Sequence, residues 1–418
     1  MVTISNKYLV LSQFCHLKPL VIRLLTTAII AIIMNNLRKF IDKIKPHFSE
    51  KGKFYFLKST FEAFETFLFV PNKTTSKGAH IRDSIDLKRT MSVVIIALIP
   101  SLLFGMYNVG YQYYKAIGQE ASFFQTFWFG FLKVLPIIIV SYISGLSIEF
   151  LFAQLRNHEV NEGFLVTGML IPLIMPINIP LWMVSVATIF AVIFAKEVFG
   201  GTGMNIFNPA LIARAFIFFA YPKHISGDTP WTYGLTKQIH TVDAFSGATP
   251  LANAAAYHME KIPDNWTLFL GLIPGSIGET SKLAILIGAA ILLITGIGNW
   301  RIMISTVIGG LFMSFILNIF AVNPFMTISP LTHLLMGGFL FGAVFMATDP
   351  VTAAQTQTGK YIYGFLIGII AILIRVLNPA YPEGMMLAIL FMNTFAPLID
   401  HYVVEANIKR RLNRIKNN

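Results

Sequence analysis

The chain reads as an all-α integral membrane protein of about ten transmembrane helices in two halves of five. Three observations predict this. Of 418 residues, 55% are hydrophobic and only 12% are charged, far below the roughly 25% charged fraction of soluble domains. Apolar runs of membrane-crossing length recur along most of the chain. A single long polar loop interrupts them, with five runs on either side.

In chain order, residues 1–33 are an atypical extension. Leu20 to Met34 is apolar over about 15 residues, with Lys18 and Arg23 at its front, which is short for a span. It reads either as a signal-like or weakly anchoring segment or as the product of an upstream start codon. Met34-Asn35-Asn36-Leu37-Arg38-Lys39-Phe40 reads as a natural beginning, and Met34 is taken as the start. A basic segment, 34–90, precedes the first half at 91–220. Its apolar runs fall near 91–107, 128–152, 163–178, 180–199 and 206–220. The loop 221–282 follows. The second half, 283–402, has runs near 283–298, 302–320, 333–347, 361–377 and 384–400, and a basic tail occupies 403–418. Five spans per half require opposite orientations if the halves are related, which is how inverted repeats are built. Glycine and proline breaks at Gly200-Gly201-Thr202-Gly203 and Ala347-Thr348-Asp349-Pro350 fit either interrupted helices or ordinary helix ends.

The net charge of +12 is concentrated before the first span and in the tail. This pattern fits membrane orientation better than nucleic acid and places both ends in the cytoplasm. Loop charges agree, because Arg156, Lys196, Arg301 and Lys360 follow even-numbered spans. Arg375, near the far end of span nine, is the exception. In 221–282, acidic residues outnumber Lys223, Lys237, Lys261 and Lys282, which places this loop on the opposite, periplasmic side. The one cysteine, Cys15, excludes an internal disulfide and a cysteine-ligated iron–sulfur cluster.

Within that loop lies Asp243-Ala244-Phe245-Ser246-Gly247-Ala248-Thr249. Ser246, Gly247 and Ala248 have little bulk, Gly247 allows backbone angles closed to other residues, and Thr249 offers a hydroxyl. Chance would place such a tetrapeptide in a chain of this size roughly 1% of the time. Glycines around Gly201 allow a flat ligand to approach. Asn205 and Asn208, three apart at a helix start, lie on one face of it and either hydrogen-bond to a heterocycle or cap the helix. Glu149, Arg214, Asp349 and Asp400 are charges within or at the ends of spans, which are costly in lipid and usually functional.

The Asp243–Thr249 motif, Lys196-Glu197-Val198-Phe199-Gly200-Gly201-Thr202-Gly203 and Asn205-Ile206-Phe207-Asn208-Pro209 closely resemble the B-subunit family of the sodium-translocating NADH:quinone oxidoreductase. His158 to Phe164, Ile273 to Glu279 and Asn378 to Met386 extend the likeness, which runs from about Met34 to the C-terminus. The resemblance implies FMN joined to Thr249 by a phosphoester that a periplasmic flavin transferase installs, with Asp243 in its recognition sequence or forming a turn. It also implies a noncovalent riboflavin near Gly201, Asn205 and Asn208, with Arg214 either facing it or pairing with a carboxylate. Quinone binding would involve Gly145 and Glu149, although the family's paired glycines are Gly145-Leu146 here. Sodium uptake would fall to Asp400, which reads equally as a helix-end residue.

The function so implied is electron transfer from FMN through riboflavin to ubiquinone, coupled to Na⁺ export across a bacterial inner membrane. The chain has no dinucleotide fingerprint, so NADH would be oxidised elsewhere in a multi-subunit complex. Two alternatives stand beside this reading: the D subunit of the related Rnf electron-transport complex, against which the long basic segment before span one counts, and a solute channel or transporter without redox chemistry.

Overall fold

The computed structural model describes residues 38–48, 87–156, 163–235, 246–378 and 383–416, with isolated positions between 61 and 81. Met34, Asp243 and residues 379–382 lie outside the described residues. The chain divides into two compact units, 1–78 with 153–160, and 79–152 with 161–418. In the first, Arg38 pairs with Asp42 and Glu65, each at 3.2 Å, and Lys45 pairs with Glu65 at 2.7 Å. All that follows concerns the second.

The described residues are helical, without strands. The long helices are α1 (Leu87–Ala116), α2 (Phe123–Leu155), α9 (Trp300–Ile319), α11 (Gln357–Leu377) and α12 (Met385–Lys416). Shorter apolar helices are α3 (Phe164–Ile174), α4 (Leu181–Ala191), α5 (Pro209–Ala220) and α8 (Lys282–Ile294). The remainder are α6 (Pro250–Ala255), α7 (Asn265–Leu270) and α10 (Pro330–Leu335).

All ten predicted apolar runs coincide with helix, but they are not ten equal spans. Six are long and apolar enough to cross a membrane, α4 among them because it continues to Phe199. α3, α5 and α8 are too short to cross alone, since 11 to 13 residues rise only about 17–20 Å. The eighth run is broken. α10 stops at Leu335, and helix resumes at Phe339 beyond Met336-Gly337-Gly338. Shortened and broken helices are tolerated at membrane depth only where protein satisfies the freed backbone groups.

Local chemistry sets these ends. Asn208 caps α5 through its Oδ1, with Pro209 in the first turn, where its missing N–H costs nothing. Thr249-Pro250 repeats that arrangement at α6. Asp264 caps α7, and the Thr267 hydroxyl together with backbone N–H groups holds its carboxyl below the usual range. Ser281, Asn299 and Thr356 cap α8, α9 and α11. Two π turns, Val192–Lys196 and Gly342–Met346, run into the two predicted breaks, one in each half. Such π insertions are rare and cluster at functional sites.

α9 and α11 pack backbone to backbone. A Cβ on Gly309 would meet the Phe365 carbonyl, and one on Gly368 would meet the Thr306 carbonyl and the Gly310 nitrogen. Small residues permit this approach in membranes. Gly368→Ala is therefore expected to lower stability by about 1–3 kcal/mol, read as a lower melting temperature in detergent.

The predicted loop 221–282 is only partly a surface loop. Its segment 271–281 is threaded into the helical body: Gly278 N–H donates to Leu173 O at 2.7 Å, and Asn108 Nδ2 of α1 donates to Ile273 O at 2.9 Å. A small apolar cluster that includes Leu251, Leu268, Ile273, Phe325 and Met336 fastens α6 and α7 over this end.

Candidate functional site

α5 and α8 each run between two cavities. Pro209 and Leu292 border one, and Phe218 and Lys282 border the other, so nine or ten residues of helix, about 15 Å, separate them.

The first cavity encloses about 700 Å³, its mouth included, and its wall contains Thr249 together with Phe218, Trp231, Ser276, Glu279 and Glu383. Thr249 is half-buried. Its Oγ1 accepts the Ala252 N–H at 3.1 Å, so the hydroxyl caps α6 through a lone pair while its proton stays available. Ser246 Oγ accepts the Ala248 N–H at 3.2 Å and closes the turn before it. Gly247 is required by space rather than by backbone angle. It is not among the glycines with positive φ, but a Cβ there would meet the Asp228 carbonyl and, at 2.6 Å, Leu235. Across the cavity, Asn178 holds the Trp231 turn, donating to Thr229 O and Thr232 O at 2.8 and 2.5 Å and accepting the Gly234 N–H.

Charge is buried behind this wall. Arg214 donates to Glu279 at 2.9 Å and also to Glu383. Lys282, fully buried, donates to the carbonyls of Glu279, Thr280 and Gly337 at 2.9, 3.0 and 3.0 Å. Arg375 donates to the His333 and Met336 carbonyls. The carbonyls freed where α10 breaks are thus met by buried cations. This explains why Arg375 departs from the loop-charge pattern: it is a capping group inside the protein. Of the two sequence readings of Arg214, facing a ligand near Asn205 and Asn208 or pairing with a carboxylate, the structure shows the second: its guanidinium is committed to carboxylates of the first cavity.

The second cavity, about 850 Å³ with its mouth, gathers Thr167, Lys196, Asn205, Asn208, Phe345 and Asp349. Both π turns reach it, through Lys196 and Phe345. Asn205 and Asn208 meet here, but not as one helical face. The helix begins at Pro209, and Asn205 lies in the preceding turn with its Nδ2 on Phe207 O at 3.2 Å. Asn208 spends its Oδ1 on the Ala210 and Leu211 N–H groups, which leaves its NH2 for a ligand. Gly201 shapes the turn beside them at φ 99°. Lys196 also pairs with buried Glu149, which ties α2 to this end. Four residues earlier, Gly145 leaves the space that the Phe164 ring fills, and Gly163 beside that ring borders the cavity.

Asp400 lies apart from both cavities. Its carboxylate accepts the Gln355 N–H at 2.6 Å, the Thr356 N–H at 2.9 Å and the Thr356 hydroxyl at 2.6 Å, closing the N-terminus of α11. Three of roughly four acceptor positions are therefore occupied by donors. Among the described residues no group of three His, Cys, Asp or Glu could hold a metal ion.

Sequence reasoning misses Lys282, Glu279, Glu383 and Trp231 as site residues. Lys282 reads as a loop charge, and only its place at the start of an apolar run hints otherwise.

Residues 74–409 match the family described as NQR2, RnfD, RnfE. The B subunit of the Na(+)-translocating NADH-quinone reductase of Ectopseudomonas mendocina is 48% identical over 407 residues, covering 90% of this chain and 99% of the relative. Those of Chromohalobacter salexigens and Azotobacter vinelandii are each 47% identical, covering 90% of this chain and 96% and 99% of theirs.

Proposed function

The chain belongs to the NQR2, RnfD, RnfE family, and from that premise we propose that it is the membrane subunit of a sodium-translocating NADH:ubiquinone reductase of the bacterial inner membrane. The observation that carries this reading is the Thr249 hydroxyl, set in the wall of a cavity with its proton uncommitted. The residues present fit a flavin. Trp231 and Phe218 offer aromatic surface, Gly227 and Gly275 leave room for a flat ring, and the Thr249 proton is uncommitted.

In this reading Thr249 holds FMN through a phosphoester, and the small residues Ser246, Gly247 and Ala248 leave a periplasmic flavin transferase access to it. Asn205 and Asn208 hold riboflavin at the cytoplasmic end by amide hydrogen bonds. The two flavins supply electron carriage from an NADH-oxidising subunit towards ubiquinone. Gly145 and Glu149 border the quinone region, the latter held by Lys196. Asp400 admits Na⁺ through its remaining acceptor position. The named relatives favour this reading over the Rnf counterpart, which the same family description covers.

Membranes from cells carrying the complex are expected to reduce ubiquinone with NADH faster when Na⁺ is added, and to lose that activity when this subunit is deleted. An unchanged rate after deletion would overturn the proposal. The second flavin has its own test. Asn208→Ser keeps a capping oxygen but removes the amide NH2, so noncovalently held flavin should be retained at least tenfold more weakly, about 1.4 kcal/mol. Covalent flavin should be unaffected, and the two pools are separated by acid extraction.

A further inference from the structure

Lys282 is a buried cation to which the reading above assigns no part in the chemistry. It is wholly excluded from solvent and borders the Thr249 cavity. Its three acceptors are the carbonyls of Glu279, Thr280 and Gly337 at 2.9, 3.0 and 3.0 Å. Three acceptors around one nitrogen match the three N–H groups of an ammonium.

No carboxylate among the described residues lies within ion-pair distance of Lys282. Glu279 gives it a backbone oxygen and turns its carboxylate to Arg214 instead. Of the charged residues that line the cavity, Lys282, Glu279 and Glu383, the two carboxylates are both taken up by Arg214. The Lys282 charge has no such partner among the described residues, and in a water-poor interior an uncompensated charge acts over several ångströms.

We propose that Lys282 is a positioning residue whose unpaired ammonium, fixed behind the Thr249 cavity, sets the reduction potential of the flavin held there by favouring its reduced form. This rests on Thr249 being the flavin's attachment point. The chemical basis is charge. Uptake of two electrons with one proton leaves a flavin ring one unit more negative, and charge near the ring is one of the ways a protein tunes it. A hydroxyl or amide at position 282 would cap the same carbonyls without supplying that field.

The test is a spectroelectrochemical titration of the whole purified complex with dithionite as reductant. The couple belonging to Thr249 is identified as the one missing from the Thr249→Ala complex. Lys282→Met should lower its potential by at least the equivalent of a tenfold change in the oxidised-to-reduced ratio, about 30 mV for a two-electron couple. Glu383→Gln, which removes a negative charge from the same wall at a partly exposed position, should raise it. Unmoved potentials in both, or shifts of the same sign, would overturn the proposal. If Lys282→Met does not assemble, the sign of the Glu383→Gln shift alone decides. In-gel flavin fluorescence of each variant keeps the premise separate: a dark wild-type band removes the attachment itself, whereas a fluorescent band with unmoved potentials removes only the role of Lys282.

Discussion

Thr249→Ala is expected to abolish the flavin fluorescence that otherwise survives denaturation of this chain, and with it Na⁺-stimulated ubiquinone reduction. Thr249→Ser is expected to retain both, at reduced yield. The two substitutions separate the chemistry of the hydroxyl from its structural work. In the folded chain the Thr249 oxygen caps α6, and losing such a cap costs about 0.5–2 kcal/mol. That loss falls on a six-residue helix that is also fastened by Leu251 and Ala254 in the apolar cluster, so the alanine variant should still fold and assemble. Serine keeps an oxygen for the cap and a hydroxyl for the bond, losing only a methyl group. Fluorescence on a denaturing gel and activity in membranes, measured for both variants, check the expectation. A fluorescent Thr249→Ala band would show that the flavin is carried elsewhere.

Much of the fold could be read from the sequence because its strongest signals are local. Each apolar run became helix, and the caps Asn208, Ser281, Asn299 and Thr356 stand where polar residues meet those runs. The weaker signals depended on tertiary contacts. A run of apolar residues does not reveal that α10 ends at Leu335, because the break is made by Gly337 and Gly338 and stabilised by Lys282 and Arg375 from other helices. Counting hydrophobic residues cannot find a cation that reaches across from 39 residues away.

The same limit governed the sites. The Ser246–Thr249 turn is legible because its hydrogen bonds run to neighbours in sequence. Asn205 and Asn208 were placed together correctly for the wrong geometric reason, since a turn and a cap, not one helical face, direct them to a common cavity. For Arg214, pairing with a carboxylate is one of the two readings the sequence offers, but the partners are not legible, because Glu279 and Glu383 are 65 and 169 residues distant in the chain. Asp400 shows the converse. Its hydrogen bonds to Gln355 and Thr356 give it a structural task, and any part in admitting sodium must operate beside that task.

The Arg214 cluster supplies the largest expected effect on stability. Arg214 is 2% exposed and Glu279 is 7% exposed, so both charges are out of water and depend on each other. Replacing a buried partner typically costs about 3–5 kcal/mol because the remaining charge is left uncompensated, a large part of the roughly 5–15 kcal/mol that holds a typical domain together. Arg214→Met should therefore prevent assembly or lower the melting temperature sharply. Arg214→Lys should be intermediate, since one ammonium cannot span two carboxylates as the guanidinium fork does. Arg214→Met combined with Glu279→Met should recover much of the loss, because it removes both desolvated charges and leaves Glu383, whose side chain is 18% exposed, to be hydrated. Fluorescence-detected melting of the three variants in detergent gives the order directly. If Arg214→Met melts with the wild type, the cluster does not stabilise this end of the molecule. If the double variant is no better than the single, the damage comes from lost packing of the long Arg214 side chain and not from stranded charge.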